Sequence, residues 1–521
     1  MDARRTQLLL PGGLSASAAA DTLAGHVAVV TQRAHRTDRT FWDTFDGRLH
    51  GAGLALVDTG SRFALTDAAS YEEQAGADHA RGLRRVLLAD LPGGPLRERL
   101  AAVVEMRALT PVVRVRSRLL PVNVLDDEGK IVVRLQAEEP TVLAGPRPED
   151  KIALRARLNV VGVRGYDGAF DQVLGLLTGE LGLAEAPRPV HHDAVKAIGG
   201  KLGGTSSKLK ITLAPDERAD AAAVTILRRL LATIEANLPG TLADTDSEYL
   251  HDLRVAVRRS RAAQRELRGV FPPEPLRVFR DEFRELQVLT GPTRDLDVQL
   301  LEFGDLTSVL PAENAGDVAP LRVLLEARLA DERATMVRGL NSERTSALLR
   351  NWSEFLDALV AAPEGDRPDA ARPVGDLAGE RIGKVYRRMV KMGGAIGPDS
   401  PHEALHDLRK KGKELRYLLE FFASLYPPEV VKPMVGTLKG LQDVLGRFQD
   451  REVQVDSLRG LRDELAAERD GPAALLALGP ALDALIVDQH AARAQFAERF
   501  AGFSDADQRA MVRKTFPKQA A

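Results

Sequence analysis

HDLRVAVRRSRAAQREL, residues 251–267, and HDLRKKGKELRYLLEF, residues 406–421, decide how this chain of 521 residues is read. At 100° per residue, His251, Arg254, Arg258, Arg261 and Arg265 fall within an arc of roughly 80°, while Leu253 and Val257 point elsewhere, toward a core. In the second segment His406, Arg409, Lys413 and Arg416 occupy the same arc, and Glu420 stands where the fifth base would be. Each segment is therefore an amphipathic helix with one basic stripe.

The likeness extends well beyond these two helices. Residues 251–299 align to 406–454 at a constant offset of 155 without a gap, with 14 identities over 49 positions. Shared landmarks are Phe271-Pro272-Pro273-Glu274 with Tyr426-Pro427-Pro428-Glu429, Leu286-Gln287 with Leu441-Gln442, Gly291 with Gly446, and Asp295 with Asp450. Upstream, Leu227-Arg228-Arg229-Leu230 matches Tyr386-Arg387-Arg388-Met389 if the connecting segment is four residues shorter in the second copy. One unit several helices long is present twice. Both copies are expected to open their histidine helix with a capping box, Thr245-x-x-Glu248 and Ser400-x-x-Glu403, with Pro401 suited to the first helical position.

Like charges one helical turn apart destabilise an isolated helix by roughly 0.2–0.5 kcal/mol per pair, so something must offset the stripes. One possibility is neutralisation by acids on neighbouring helices, Asp295 and Asp450 included, or simple solvation. The other is a ligand: cations about 5 Å apart along a helix can track a chain of phosphates. Arginine suits that role because its planar fork donates to two oxygens and stays charged. For His251 and His406, a bond to a neighbouring acid and a direct phosphate contact remain equally open.

Three other patterns carry less. His402-Glu403-Ala404-Leu405-His406 fits the H-E-x-x-H zinc pattern, but Glu403 is accounted for by the capping box and the position of His402 is Ser247 in the other copy. GGKLGGTSSK lacks the spacing of a nucleotide phosphate loop and reads as flexible linker. His191-His192-Asp193, in the same aperiodic stretch, reads as a solvated cluster. No catalytic residue, metal site or cofactor is expected.

Upstream, Leu54–Val57, Val112–Arg118 and Lys130–Leu135 alternate or are β-branched between Gly, Asp and Pro signals. The expected fold is α+β and multidomain: an antiparallel, tunnel- or barrel-like β domain at 1–180, a linker at 181–214, an all-α domain at 215–505 and a tail at 506–521. No apolar run approaches the eighteen or so residues of a membrane span, and no signal sequence is evident, so a cytoplasmic protein without membrane contact is expected. The absence of cysteine excludes disulfides and thiolate metal sites. A formal net charge of -2 means that any affinity for polyanions must come from local clustering.

The two histidine helices, the F/Y-P-P turns and the L-Q…G…D segment, in that order, resemble the conserved histidine α-helical domain, or CHAD, family over roughly residues 215–505. That resemblance implies two four-helix bundles related by a pseudo-two-fold, whose basic residues face a shared cleft that binds inorganic polyphosphate. By position it implies binding roles for His251, Arg254, Arg258 and Arg261 and for His406, Arg409, Lys413 and Arg416, with Arg228, Arg229, Arg387 and Arg388 as additions from the preceding helices. Arg265 joins them through the stripe.

The N-terminal region resembles the CYTH, or triphosphate tunnel metalloenzyme, family through Thr40–Leu49 and Gly53–Leu56. It departs from that family where chemistry is needed. Arg4-Arg5-Thr6-Gln7-Leu8-Leu9 stands in place of the Glu-x-Glu-x-Lys strand whose carboxylates hold divalent metal, and Leu154-Arg155-Ala156-Arg157 in place of a later acidic strand. Glu138 and Glu139 alternate faces on a strand and cannot both enter one tunnel. The expected function is non-catalytic polyphosphate binding, with association to polyphosphate granules. The alternatives are a metal-dependent triphosphatase of the tunnel domain and a nucleic-acid binder, the latter disfavoured by the scarcity of aromatic side chains for base stacking.

Overall fold

Short apolar runs broken by Gly and Asp produce strands in the first part of the chain, and long runs of helical period produce helices in the rest. The protein is described here by a computed structural model covering residues 4–310 and 314–516, which divides into two units, Met1–Ser206 and Ser207–Ala521.

The first unit is an antiparallel sheet of 11 strands: β1 (Arg5–Leu9), β2 (Val29–Thr31), β3 (His35–Thr44), β4 (Leu54–Asp58), β5 (Arg62–Asp67), β6 (Glu73–Asp78), β7 (Leu109–Leu125), β8 (Ile131–Leu143), β9 (Lys151–Ala153), β10 (Arg157–Gly162) and β11 (Ala184–Glu185). Their order is β11-β1-β10-β8-β7-β3-β4-β5-β6, with β2 on β7 and β9 on β8. Among the described residues no ladder joins β11 to β6, so backbone pairing leaves the expected barrel open. The β7–β8 hairpin turns on Asp126, whose Oδ1 accepts from the Glu128 and Lys130 amides, and on Gly129 at φ +77°. Alternation then buries Val122, Val133, Leu135, Leu158 and Val160 on one face, against Phe170 of the Asp167–Gly179 helix.

The expected linker is the main correction in this unit. Residues 181–206 belong to it, contributing β11 and a helix, Val190–Ala197, whose Val190, Ala194 and Val195 pack on Phe41, Val57, Val113 and Val142. The glycines at 203 and 204 are not slack either. A side chain at Gly204 would collide with the carbonyl of Phe45, which also accepts from the Thr205 amide at 2.9 Å. His191 is buried rather than solvated, with its Nδ1 2.8 Å from Tyr71 Oη and its ring stacked on Phe41.

From Ala219 to Thr515 the described residues form 13 α-helices: α6 (Ala219–Leu242), α7 (Ser247–Glu266), α8 (Pro273–Leu289), α9 (Gly291–Leu301), α10 (Phe303–Ser308), α11 (Ala319–Leu340), α12 (Glu343–Leu359), α13 (Val374–Gly394), α14 (His402–Phe421), α15 (Pro428–Gly460), α16 (Arg462–Ala467), α17 (Gly471–Phe503) and α18 (Ala506–Thr515). To number the helices continuously, α1 to α5 are the first unit's Ala16–Ala24, Arg48–Gly51, Pro95–Val104, Asp167–Gly179 and Val190–Ala197. The pairs α6/α13, α7/α14 and α8/α15 all start at the 155-residue offset of the repeat. The helix starts thus need no shortened connection, whereas matching Arg228-Arg229 to Arg387-Arg388 requires one. The copies differ at Thr290, where α8 ends and α9 restarts. Pro292, which lacks an amide proton, breaks the helix there, while Arg447 at the matching position lets α15 run on.

A single apolar cluster takes side chains from both copies, with Leu253, Val257 and Phe283 from the first and Leu408, Leu415 and Phe448 from the second. The expected tail is structured: Val512 and Phe516 are buried in that cluster, and residues 517–521 lie outside the described ones. Contrary to the expectation from apolar runs, α17 is long and apolar enough, by length and composition, to cross a membrane. Its Ala474, Leu478, Ala492 and Phe496 nevertheless face apolar clusters, and Asp488 accepts from Arg447 and Arg451 of α15.

The start of α6 is held by a fully buried ion pair. Asp220 accepts at 2.7 Å from both Arg367 and Arg218, and neither Asp220 nor Arg367 exposes its side chain. Removing one partner strands a buried charge, so Asp220→Ala is expected to cost the helical unit about 3–5 kcal/mol. Chemical denaturation followed by circular dichroism checks this, and a loss of under about 1 kcal/mol would contradict it.

Candidate anion site

The two basic helices start differently from the expected capping boxes. In α7 the cap is Asp246, whose Oδ1 accepts from the Glu248 and Tyr249 amides at 2.9 and 3.1 Å, while Glu248 lies 3.6 Å from Arg294. Aspartate caps as well as threonine and sits one residue nearer the helix. In α14 the cap is Pro401, without a side-chain oxygen, and Ser400 Oγ accepts instead from the Gly397 amide.

Between α7, α14 and α15 lies a cavity of about 370 Å³. Its walls bring together His251 and Arg258 from the first stripe and Arg409, Lys413 and Arg416 from the second. Arg258 and Lys413 are matching positions of the repeat, and among the described residues neither has a carboxylate within ion-pair distance. Arg258 Nε is buried without a hydrogen-bond partner, as is the Oε1 of Gln442, another wall residue. Arg409 pairs with Asp450 at 3.0 Å and Arg416 with Glu420 at 2.8 Å. Burial, with the charges of Arg409 and Arg258, pushes the Lys413 ammonium down to about 8.

The other expected residues are engaged elsewhere. Arg254 is buried, donating to Gln287 O and Thr290 Oγ1 at 3.0 and 2.9 Å, and burial with the neighbouring Arg258 pushes it down to about 10. Arg261 donates to Gln287 Oε1, and its guanidinium is lowered by burial and by Arg265, Arg284 and Arg280. Arg265 pairs at 2.8 Å with both Glu266 and Glu414. Arg228 is taken by Ser353 and Asp357. Arg229, Arg387 and Arg388 are not among the wall residues.

The histidines divide between wall and partner. His251 Nδ1 accepts from Arg294 at 3.1 Å, and His406 Nδ1 bonds Gln449, the residue matching Arg294. Of the H-E-x-x-H pair, His402 bonds Glu452 at 2.7 Å, so its two imidazoles are held by separate α15 partners. Of the proposed neutralising acids, Asp450 acts as expected. Asp295 forms no ion pair among the described residues; burial raises its carboxyl, against the lowering effect of Arg254, Arg258 and Arg294.

Sequence reasoning missed Lys208, Arg259 and Tyr417. Arg259 pairs with Glu420 at 2.5 Å and lies over the Tyr417 ring. Together with Arg265–Glu414, this makes a crossed set: Glu414 matches Arg259 in the repeat and Glu420 matches Arg265. Exchanging the copies therefore converts one pair into the other. A search for opposite charges at matching positions would have exposed both.

A duplicated all-helical unit whose copies share a cavity lined by several cations, with Asp252 and Asp443 also in its walls, is the class that this geometry defines. The CHAD domain model matches residues 225–459, and the helical unit accordingly carries a CHAD domain. Solved structures similar to the chain include the following two. The CHAD domain from the plant Ricinus communis is 24% identical, with a TM-score of 0.43, over 60% of this chain and 96% of that one. PptA from Streptomyces chartreusis is 17% identical, with a TM-score of 0.43, over 54% of this chain and 99% of that one. No curated protein matches.

An anion held in the cavity would be favoured by the charged form of Lys413 and would favour that form in turn. Affinity should therefore be fully present below about pH 8 and fall as pH rises through it, with proton uptake on binding in that window. Loss of one charge-assisted contact corresponds to about tenfold in affinity. Calorimetric titration with tripolyphosphate from about pH 7 to about pH 9.5 should show this decline in the parent and a flat profile in Lys413→Arg, whose side chain stays charged. Identical profiles would contradict it.

Proposed function

We propose that the helical unit binds inorganic polyphosphate without catalysis, the chain entering the cavity between α7 and α14 and associating the protein with polyphosphate granules in the cytoplasm. The carrying observation is that five stripe residues from two copies meet in one cavity, while the central cations, Arg258 and Lys413, lack acidic partners there. Unpaired like charges held together are costly in a folded protein unless an anion completes them. The crossed pairs Arg259–Glu420 and Arg265–Glu414 support a pseudo-two-fold arrangement of two helical bundles about that cavity. Membership of the CHAD family for residues 225–459 agrees with this reading.

The N-terminal unit fits a degenerate relative of the triphosphate tunnel fold. Glu138 is buried and taken by Arg39 and Ser117, so it is not available as a metal ligand. Arg157 is buried on β10, donating to Gln7 and Asp193. A cation at that position opposes binding of a divalent ion. With magnesium or manganese, the full chain should hydrolyse tripolyphosphate no faster than a protein lacking residues 1–206. Turnover abolished both by chelator and by that truncation would establish the triphosphatase instead.

Binding is tested by titrating polyphosphate and single-stranded RNA at matched charge and salt. Arg258→Ala with Lys413→Ala should weaken polyphosphate binding by about 100-fold, since each lost contact is worth about tenfold, and should flatten the fall of log affinity with log salt. Arg33→Ala with Arg81→Ala, both exposed in the first unit, should change affinity by less than about twofold. Equal binding by both variants, each folded by circular dichroism, would overturn the proposal, and tighter binding of RNA would reassign the ligand.

A further inference from the structure

Three lysines lie close together on α14, and their surroundings differ. Lys410 pairs with Asp407 at 3.2 Å and Lys411 with Glu414 at 2.8 Å. Lys413 faces the cavity among Arg258, Arg409 and Arg416, and no acid pairs with it among the described residues. A carboxylate partner keeps an amine protonated and unreactive, whereas burial beside other cations favours the neutral amine, which is the nucleophile.

We propose that Lys413 is a covalent modification site for acyl phosphates: the cavity draws in the phosphate end, the acyl group passes to Nζ, and the loss of that cation weakens polyanion binding. The proposal rests on the cavity being an anion site. The neutral Nζ attacks the carbonyl carbon, an amide N–C bond forms, and the C–O bond to the phosphate oxygen breaks. The phosphate leaves with that electron pair, and the nitrogen's surplus proton passes to it or to water. No oxidant or reductant is needed. Arg258, Arg409 and Arg416 can both hold the donor's phosphate and stabilise the charge that grows on it as it leaves. The burial and neighbouring cations that bring the ammonium down to about 8 leave an appreciable fraction neutral near that pH.

Lys208 also lines the cavity but is exposed at its rim, so it meets the same local concentration of donor and serves as an internal control. The full chain is incubated with acetyl phosphate near pH 8 and acetylation is followed by peptide mass spectrometry. Lys413 should react roughly tenfold or more faster than Lys208, Lys410 and Lys411. Tripolyphosphate should suppress labelling at Lys413 while leaving Lys410 unchanged, and acetic anhydride, which has no phosphate, should show a smaller preference for Lys413. Protein acetylated at Lys413 should bind tripolyphosphate about tenfold more weakly. Labelling of Lys413 no faster than Lys410, or an equal preference with acetic anhydride, would overturn the inference. Preferential labelling of Lys413 by acetyl phosphate without any binding of long-chain polyphosphate would overturn the proposed function and leave the modification site standing. Polyphosphate binding without selective labelling would do the reverse.

Discussion

Two helices that carry five lysines and arginines each repel one another when laid side by side, unless opposite charges are placed between them. In α7 and α14 those charges come from the repeat itself. Arg259 and Arg265 have as their counterparts Glu414 and Glu420, and each arginine reaches across to the counterpart of the other. The pairs lie toward one end of the stripes, beyond Arg258 and Lys413, so the helices are tied together there while the central cations keep no acidic partner. Both pairs are partly buried, where an ion pair is screened less by salt than on an open surface.

The same economy governs the residues behind the cavity. Arg254 and Arg409 rest against the next helix of their copy beside Gly291 and Gly446 respectively, where an added Cβ would meet the guanidinium at an ordinary contact distance of 3.6–4.0 Å. Yet the outcomes differ. Arg254 is buried and satisfied by Gln287 and Thr290 at the α8–α9 break that Pro292 causes, whereas α15 continues past that point and Arg409 finds Asp450. Thr290 caps the end of α8, where its hydroxyl donates to Leu286 O and accepts from Arg254. One proline thus separates a structural arginine from one that faces the cavity.

The repeat and the basic stripe were legible because both are periodic and long, and five stripe residues line the cavity. Angular position on a helix does not encode depth, however. Arg254 shares the arc with Arg258 but is covered by the α8–α9 turn, and Arg261 is drawn to Gln287. Arg259 fell outside the arc, and became part of the site only because α14 packs to that side. Eight residues of helix at Val190–Ala197 give barely two turns, too few for a period to emerge among flanking Gly and Pro, which is why that segment read as linker. Strands β4, β7 and β8 were visible in alternation, whereas the closure of a sheet depends on its edges and is invisible in any single strand. The caps were misread because Thr245-x-x-Glu248 satisfies a pattern that Asp246, one residue on, satisfies better.

The crossed ion pairs bear on direction. At these pairs exchanging the copies returns the same contacts, whereas the cavity walls are unequal, so any indifference to direction must come from the ligand. Inorganic polyphosphate is alike from either end, so it presents the same groups to the walls whichever end enters first. A nucleic acid strand has distinct 5′ and 3′ sugars and bases on one side of its backbone, so reversing it presents different groups to the same walls. Two orientations that count as one complex for the first ligand are two competing complexes for the second. Discrimination between polyanions can then arise from the symmetry of the ligand, without a single base-specific contact.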